Sequence, residues 1–147
     1  QEFDNVIQIN SLGKFFGLAG VRLGFVSGPS DFIKSVRGML GPWPVSTIAA
    51  EIGIIALNDE TWISQMEKIL LEGSNVLHKA CNTKNWKLIG KTNLFHTYAT
   101  SSSLEVEKQF AAHNIWIRTF DYSETWVRLG IPTSKYEWTR VRQALNQ

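Results

Sequence analysis

The run Gly41-Pro42-Trp43-Pro44 constrains the fold most strongly. Its two prolines fix φ and remove two backbone donors, so neither a helix nor an inner strand can pass through it. The chain is thereby divided into two regimes. Before the break, short apolar runs alternate with loops. Val6 to Ile9 reads as a buried strand, and Ser11 to Gly20 as a loop too rich in glycine for a stable helix. Val21 to Val26 reads as a second strand, closed by Gly28-Pro29. Asp31 is placed to cap a short helix to about Arg37.

After the break the pattern turns helical. Ser46 is a candidate N-cap for a helix to about Leu57, and Asp59 for a longer one. In the longer helix Trp62, Met66, Ile69, Leu70, Leu77 and Ala80 recur at helical spacing. The remainder reads β-β-α-β-β-α. Trp86–Ile89 and Leu94–Tyr98 are strands around Gly90, and Ser102 or Ser103 starts a helix to about His113, with Asn114 as its stop. Ile115–Thr119 and Trp126–Leu129 form the next strand pair, and Ser134 with Glu137 has the spacing of a capping box. Helices gathered beside a small antiparallel sheet give the fold class α+β.

Composition adds exclusions. The 147 residues are 44% hydrophobic and 19% charged, enough apolar material for a core and too little charge for a disordered chain. The net charge of +2 is not gathered in blocks, so nucleic acid is not an expected partner. The six tryptophans lie in helix and strand patterns without interleaved basic patches, which favours core and domain-interface positions over base stacking. No apolar run approaches the roughly 20 residues that span a bilayer, so no membrane is expected. The lone Cys81 allows no internal disulfide and suits a cytoplasmic protein. His78, His96 and His113 are too scattered for a metal site, and structural roles are expected of them. The chain opens at Gln1 with a strand that has no lead-in, which suggests a piece of a longer polypeptide.

Two constellations carry chemistry. In the first, Lys14 lies in an apolar, glycine-lined loop with Arg22 eight residues on. A lysine amine is nucleophilic only when deprotonated, and desolvation or a neighbouring cation favours that form. Arg22 could be that cation while gripping a phosphate bidentately. Taken alone, lone lysines and arginines in such a loop are usually surface charges. In the second, Arg118 and Arg128 each lie in an otherwise apolar strand. By alternation, Ile115 and Ile117 face one way and Trp116 and Arg118 the other. Cations so placed need an anion. That anion is either a protein carboxylate such as Asp121 or Glu124, or a ligand.

The stretch Ser11-Leu12-Gly13-Lys14-Phe15-Phe16-Gly17-Leu18-Ala19-Gly20-Val21-Arg22 resembles the cofactor-lysine segment of fold-type I pyridoxal-phosphate enzymes of the histidinol-phosphate aminotransferase-like branch. The resemblance implies pyridoxal 5'-phosphate as cofactor. Lys14 would be the catalytic residue that bonds it, Arg22 would grip its phosphate, and Ser11 would donate a hydroxyl to that phosphate. Arg128 matches the residue that clamps the substrate α-carboxylate, and Arg118 the one that reaches the carboxylate or the distal phosphate side. No metal is implied.

Many relatives carry a serine immediately before the lysine, where this chain has Gly13. That glycine and the Gly41-to-Ser46 run look more like the cobalamin-pathway threonine-phosphate decarboxylases. The reading that follows is the C-terminal part of a decarboxylase of L-threonine O-3-phosphate. A histidinol-phosphate-type aminotransferase and a non-catalytic interaction module derived from such enzymes are the alternatives. The resemblance also implies a phosphorylated amino-acid substrate, a homodimeric parent and a three-part layout. Residues 1–45 would be a remnant of the large cofactor-binding domain, 46–83 a helical connector and 84–147 the small C-terminal domain. The family's ring-nitrogen aspartate, stacking aromatic and glycine-rich phosphate loop would lie elsewhere, since Asp4 is too near Lys14 to serve. The 147 residues alone are expected to be inactive, and their open strand edges to drive self-association.

Overall fold

In the computed structural model, which describes residues 5–146, the glycine-rich loop is held between two antiparallel strands. Asp4 lies outside the described residues. Strand β1 (Gln8–Ser11) pairs with β2 (Gly24–Ser27), with Ser11 opposite Gly24. Both strands begin later than the apolar runs suggest. Ala19–Val21 forms a 3-10 turn and Arg22 takes a left-handed conformation (φ 58°), so the second strand cannot start before the turn is complete. The first strand is not buried either, for all four β1 residues are exposed.

Helix α1 (Ser30–Leu40) corrects the reading of Asp31. Pro29 is the N-cap, Asp31 lies in the first turn, and the helix passes Gly38 to reach Leu40. An aspartate there is still favourable, because the N-terminal end of the helix dipole attracts negative charge. The Gly-Pro-Trp-Pro break follows, with positive φ at Gly41 (69°) and Trp43 (62°). Helix α2 (Thr47–Asn58) starts at Ser46, whose hydroxyl accepts from the Ala49 N–H at 3.1 Å. It packs on the loop: Gly53 is buried, and a Cβ there would overlap the Leu23 side chain.

The chain divides into two units, Gln1–Glu60 and Thr61–Gln147. In the second, β3 (Lys87–Lys91), β4 (Phe95–Ala99), β5 (Arg118–Phe120) and β6 (Ser123–Gly130) form one antiparallel sheet in the order β3-β4-β6-β5. Helices α3 (Glu60–Asn82), α4 (Ser103–Ala111) and α5 (Lys135–Leu145) pack on one face of it. Leu77 and Cys81, Val106 and Phe110, and Val141, Ala144 and Leu145 meet Tyr98, Val127 and Leu129 of the sheet. Each large apolar side chain so buried contributes about 1.5–3 kcal/mol.

The α3 stripe differs in part from the sequence pattern. Ile69 is exposed, and the fully buried positions are Leu70, Ser74, Leu77 and Cys81. Three further capping and stop positions form as read. Ser102 accepts from the Glu105 N–H, Ser134 and Glu137 close a reciprocal capping box, and Asn114 stops the turn after α4 with φ 55°. Among the described residues no helix is long and apolar enough to cross a membrane.

Candidate functional site

Ser11, Lys14 and Arg22 line a single cleft of about 320 Å³ in the first unit. The loop folds back so that the Leu18 N–H meets the Leu12 carbonyl at 3.0 Å and Leu12 becomes its buried anchor. That reversal brings residues eight apart in sequence to one opening. Arg22 folds over the 3-10 turn, with one guanidinium nitrogen donating to the Ala19 carbonyl at 3.1 Å. Its left-handed backbone costs about 1–2 kcal/mol, which the surrounding turn must offset. The Ser11 oxygen accepts from the Gly13 N–H at 3.3 Å, which leaves the hydroxyl proton for another acceptor. Among the described residues no carboxylate lines this cleft.

The second constellation lies on the sheet face away from the helices. Inward positions of β4 and β6 are His96, Tyr98, Val127 and Leu129, so Phe95, Thr97, Trp126 and Arg128 occupy the opposite face. Arg118 of β5 is the direct cross-strand partner of Arg128. Like charges directly opposite on neighbouring strands repel. Among the described residues neither arginine forms an ion pair; in particular neither reaches Asp121 or Glu124. Each instead lies over an aromatic ring, Arg128 4.5 Å from the Phe95 centroid and Arg118 6.0 Å from that of Phe120. The strand read over Ile115–Thr119 is shorter, since β5 begins only at Arg118; before it Trp116 is 95% exposed and Ile117 buried.

Arg140 shows what a structural arginine looks like in the same unit. Its Nε donates to the His113 carbonyl at 2.9 Å and a second nitrogen to that of Asn114, pinning the chain after α4. Among the described residues Arg128 makes no such bond, which leaves its donor edge open.

Opposite the arginine face lies a buried polar chain that the sequence does not announce. His96 is fully enclosed, with Nε2 2.8 Å from the Ser74 hydroxyl and Nδ1 2.9 Å from the Tyr98 hydroxyl. Burial, then the positive charges of Lys91 and His78, lowers its pKa to about 4. Burial also pushes the Cys81 thiol up to about 12, so it is no nucleophile at neutral pH. The i, i+4, i+7, i+11 spacing of Leu70, Ser74, Leu77 and Cys81 is the signal that could have located this chain. Phe95 was likewise missed; its signal is the alternation that puts it on the face of Arg128.

The first unit thus offers one amine, one guanidinium and one hydroxyl in a cleft, and the second unit a pair of arginines on one sheet face. The chain belongs to the aminotransferase class I and II family, which matches residues 1–145. It is 33% identical over 141 residues to a threonine-phosphate decarboxylase of Sinorhizobium sp, covering 96% of this chain and 42% of that protein. It is 31% identical to histidinol-phosphate aminotransferase 1 of Legionella pneumophila (strain Lens), covering 83% of this chain and 34% of that one. Its fold matches the histidinol-phosphate aminotransferase of Clostridium acetobutylicum with a TM-score of 0.86 at 17% identity, over 97% of this chain and 45% of the other. The chain thus spans about two fifths of the length of the decarboxylase it resembles.

Proposed function

We propose that this chain is part of a pyridoxal-phosphate-dependent decarboxylase of L-threonine O-3-phosphate that serves cobalamin synthesis as a cytoplasmic homodimer. The observation that carries the reading is the direct pairing of Arg118 with Arg128, two cations without a protein carboxylate. Such a pair suits a substrate bearing two anionic groups. The likeness to threonine-phosphate decarboxylases selects among such substrates. In the parent, residues 1–45 belong to the large domain, 46–83 connect, and 84–147 form the small domain.

The donor set of the cleft fits pyridoxal phosphate. Lys14 would supply the amine for its aldehyde carbon, and Arg22 and the Ser11 hydroxyl would be donors for its phosphate. When bound, the cofactor supplies an electron sink for the bond broken at the substrate Cα. The rest falls to the protein. Arg128 holds the α-carboxylate, Arg118 reaches the carboxylate or the distal phosphate, and together they fix which Cα bond is set for cleavage. Lys14 Nζ would carry the proton that returns to Cα.

The test uses the full-length protein with added pyridoxal phosphate. A near-visible band that borohydride traps on Lys14, lost in Lys14→Ala, is expected, together with CO₂ release from L-threonine phosphate. Transfer of the amino group to 2-oxoglutarate without CO₂ would replace this reading with the aminotransferase one, which the Legionella likeness favours. Absence of any trapped band would indicate a non-catalytic module.

A further inference from the structure

We infer that Phe95 is a positioning residue: its ring holds the Arg128 guanidinium by its face, leaving the nitrogen edge free to take an anion in a fixed plane. This rests on the reading of Arg128 as an anion-binding residue. The register brings the two together. Thr97 is the direct partner of Arg128 and Gly130 that of Phe95, so Phe95 and Arg128 are diagonal neighbours on one sheet face. A diagonal pair is within reach only of aromatic and long side chains. Gly130 adds no side chain opposite the ring, and the Arg128 Cζ lies 4.5 Å from its centroid.

The type of partner matters as much as its distance. A carboxylate or carbonyl would occupy the guanidinium edge, as the His113 and Asn114 carbonyls do for Arg140. An aromatic ring takes only the π face, so the donors of the fork remain available for bidentate contact. Pre-orienting the fork lowers the conformational entropy lost when the anion arrives. Arg118 is held less closely, at 6.0 Å from Phe120, and is exposed. Of the two arginines, Arg128 is thus the one held closer to its ring.

The experiment uses the full-length, cofactor-loaded protein with L-threonine phosphate as probe, its Kd read by calorimetry alongside KM and kcat. Phe95→Leu keeps an apolar strand residue but removes the ring. It is expected to weaken binding and raise KM by about fivefold, with the unfolding midpoint nearly unchanged. Phe95→Tyr should restore both. Nitrogen-15 relaxation at Arg128 Nε of the unliganded wild type should show an ordered side chain and needs no variant to fold. Normal binding by Phe95→Leu, where Arg128→Ala loses the probe, overturns the role of Phe95 and leaves that of Arg128 standing. Unchanged binding by Arg128→Ala overturns both. An Arg128 Nε as mobile as that of exposed Arg142 overturns the positioning role.

Discussion

Helices α1 and α5 are both 11 residues long, yet α1 buries none of its side chains while α5 buries Val141, Ala144 and Leu145. The contrast extends through the units that hold them. The buried apolar side chains of residues 5–60 are Leu12 and Ala49, whereas the second unit has a continuous core from three helices and one sheet face. Exposed Val6, Ile7, Ile9, Phe25, Val26 and Trp43 all belong to the first unit. The difference teaches where stability and chemistry reside. The second unit carries its own hydrophobic free energy, while the first presents a lysine cleft on a scaffold with little of it.

The sharpest break of that comparison is a core truncation. Phe110→Ala should cost about 3–5 kcal/mol by urea denaturation, because the ring is fully enclosed. Phe25→Ala, on a partly exposed strand, should cost less than about 1 kcal/mol. Equal losses would mean the two units share stability evenly.

The next effect is that of pH on the second unit. The unfolded His96 imidazole takes up a proton near 6.5 and the folded one only near 4. The unfolded state therefore binds more protons across that window, and stability falls as pH drops through it, by up to about 3 kcal/mol. His96→Gln should remove most of the slope. A slope that survives would assign it to other groups.

A smaller effect is expected at the cap of α5. Ser134→Ala removes half of the capping box and should cost about 1 kcal/mol in thermal or urea unfolding. Glu137 adds a pH signature. The Thr133 and then the Ser134 backbone N–H hold its carboxyl below the usual range, so its contribution is present at neutral pH and lost on acidification. Glu137→Gln should show a shallower loss in acid.

The smallest change in folding stability, about 0.5 kcal/mol or less, is expected for Ile9→Lys, at a residue 79% exposed on β1. Its readout is association. The 147-residue chain should sediment as self-associated species at high micromolar concentration, and this charge should shift it toward monomer. Proteolysis should cut residues 1–45 before 84–147. The reverse order would contradict the contrast between the units.

Much of the local structure was legible in the residues. Ser46, Ser102 and the Ser134–Glu137 pair act over three positions, so the spacing that encodes each cap is also the spacing that forms it. Asn114 and the Gly-Pro-Trp-Pro break work through the backbone freedom of single residues. The lysine loop was legible for the same reason, since Ser11, Lys14 and Arg22 share one short, glycine-punctuated segment. The β1 and β2 boundaries were not, because a strand begins where it finds a partner rather than where apolar residues begin.

The arginine face belongs to the tertiary structure alone. That Arg118 stands directly opposite Arg128, and Phe95 diagonal to it, depends on the register of three strands separated by α4 and a turn. A bulge between Thr119 and Phe120 shifts the pairing of β5 with β6 by local geometry that no alternation pattern records. The buried Ser74–His96–Tyr98 chain likewise exists only because a helix and a strand 22 residues apart pack face to face. Sequence determined which side chains could do chemistry and where helices start and stop, because those are local energies. Packing decided which of them meet, because pairing across strands is set by distant contacts that a short window of residues does not contain.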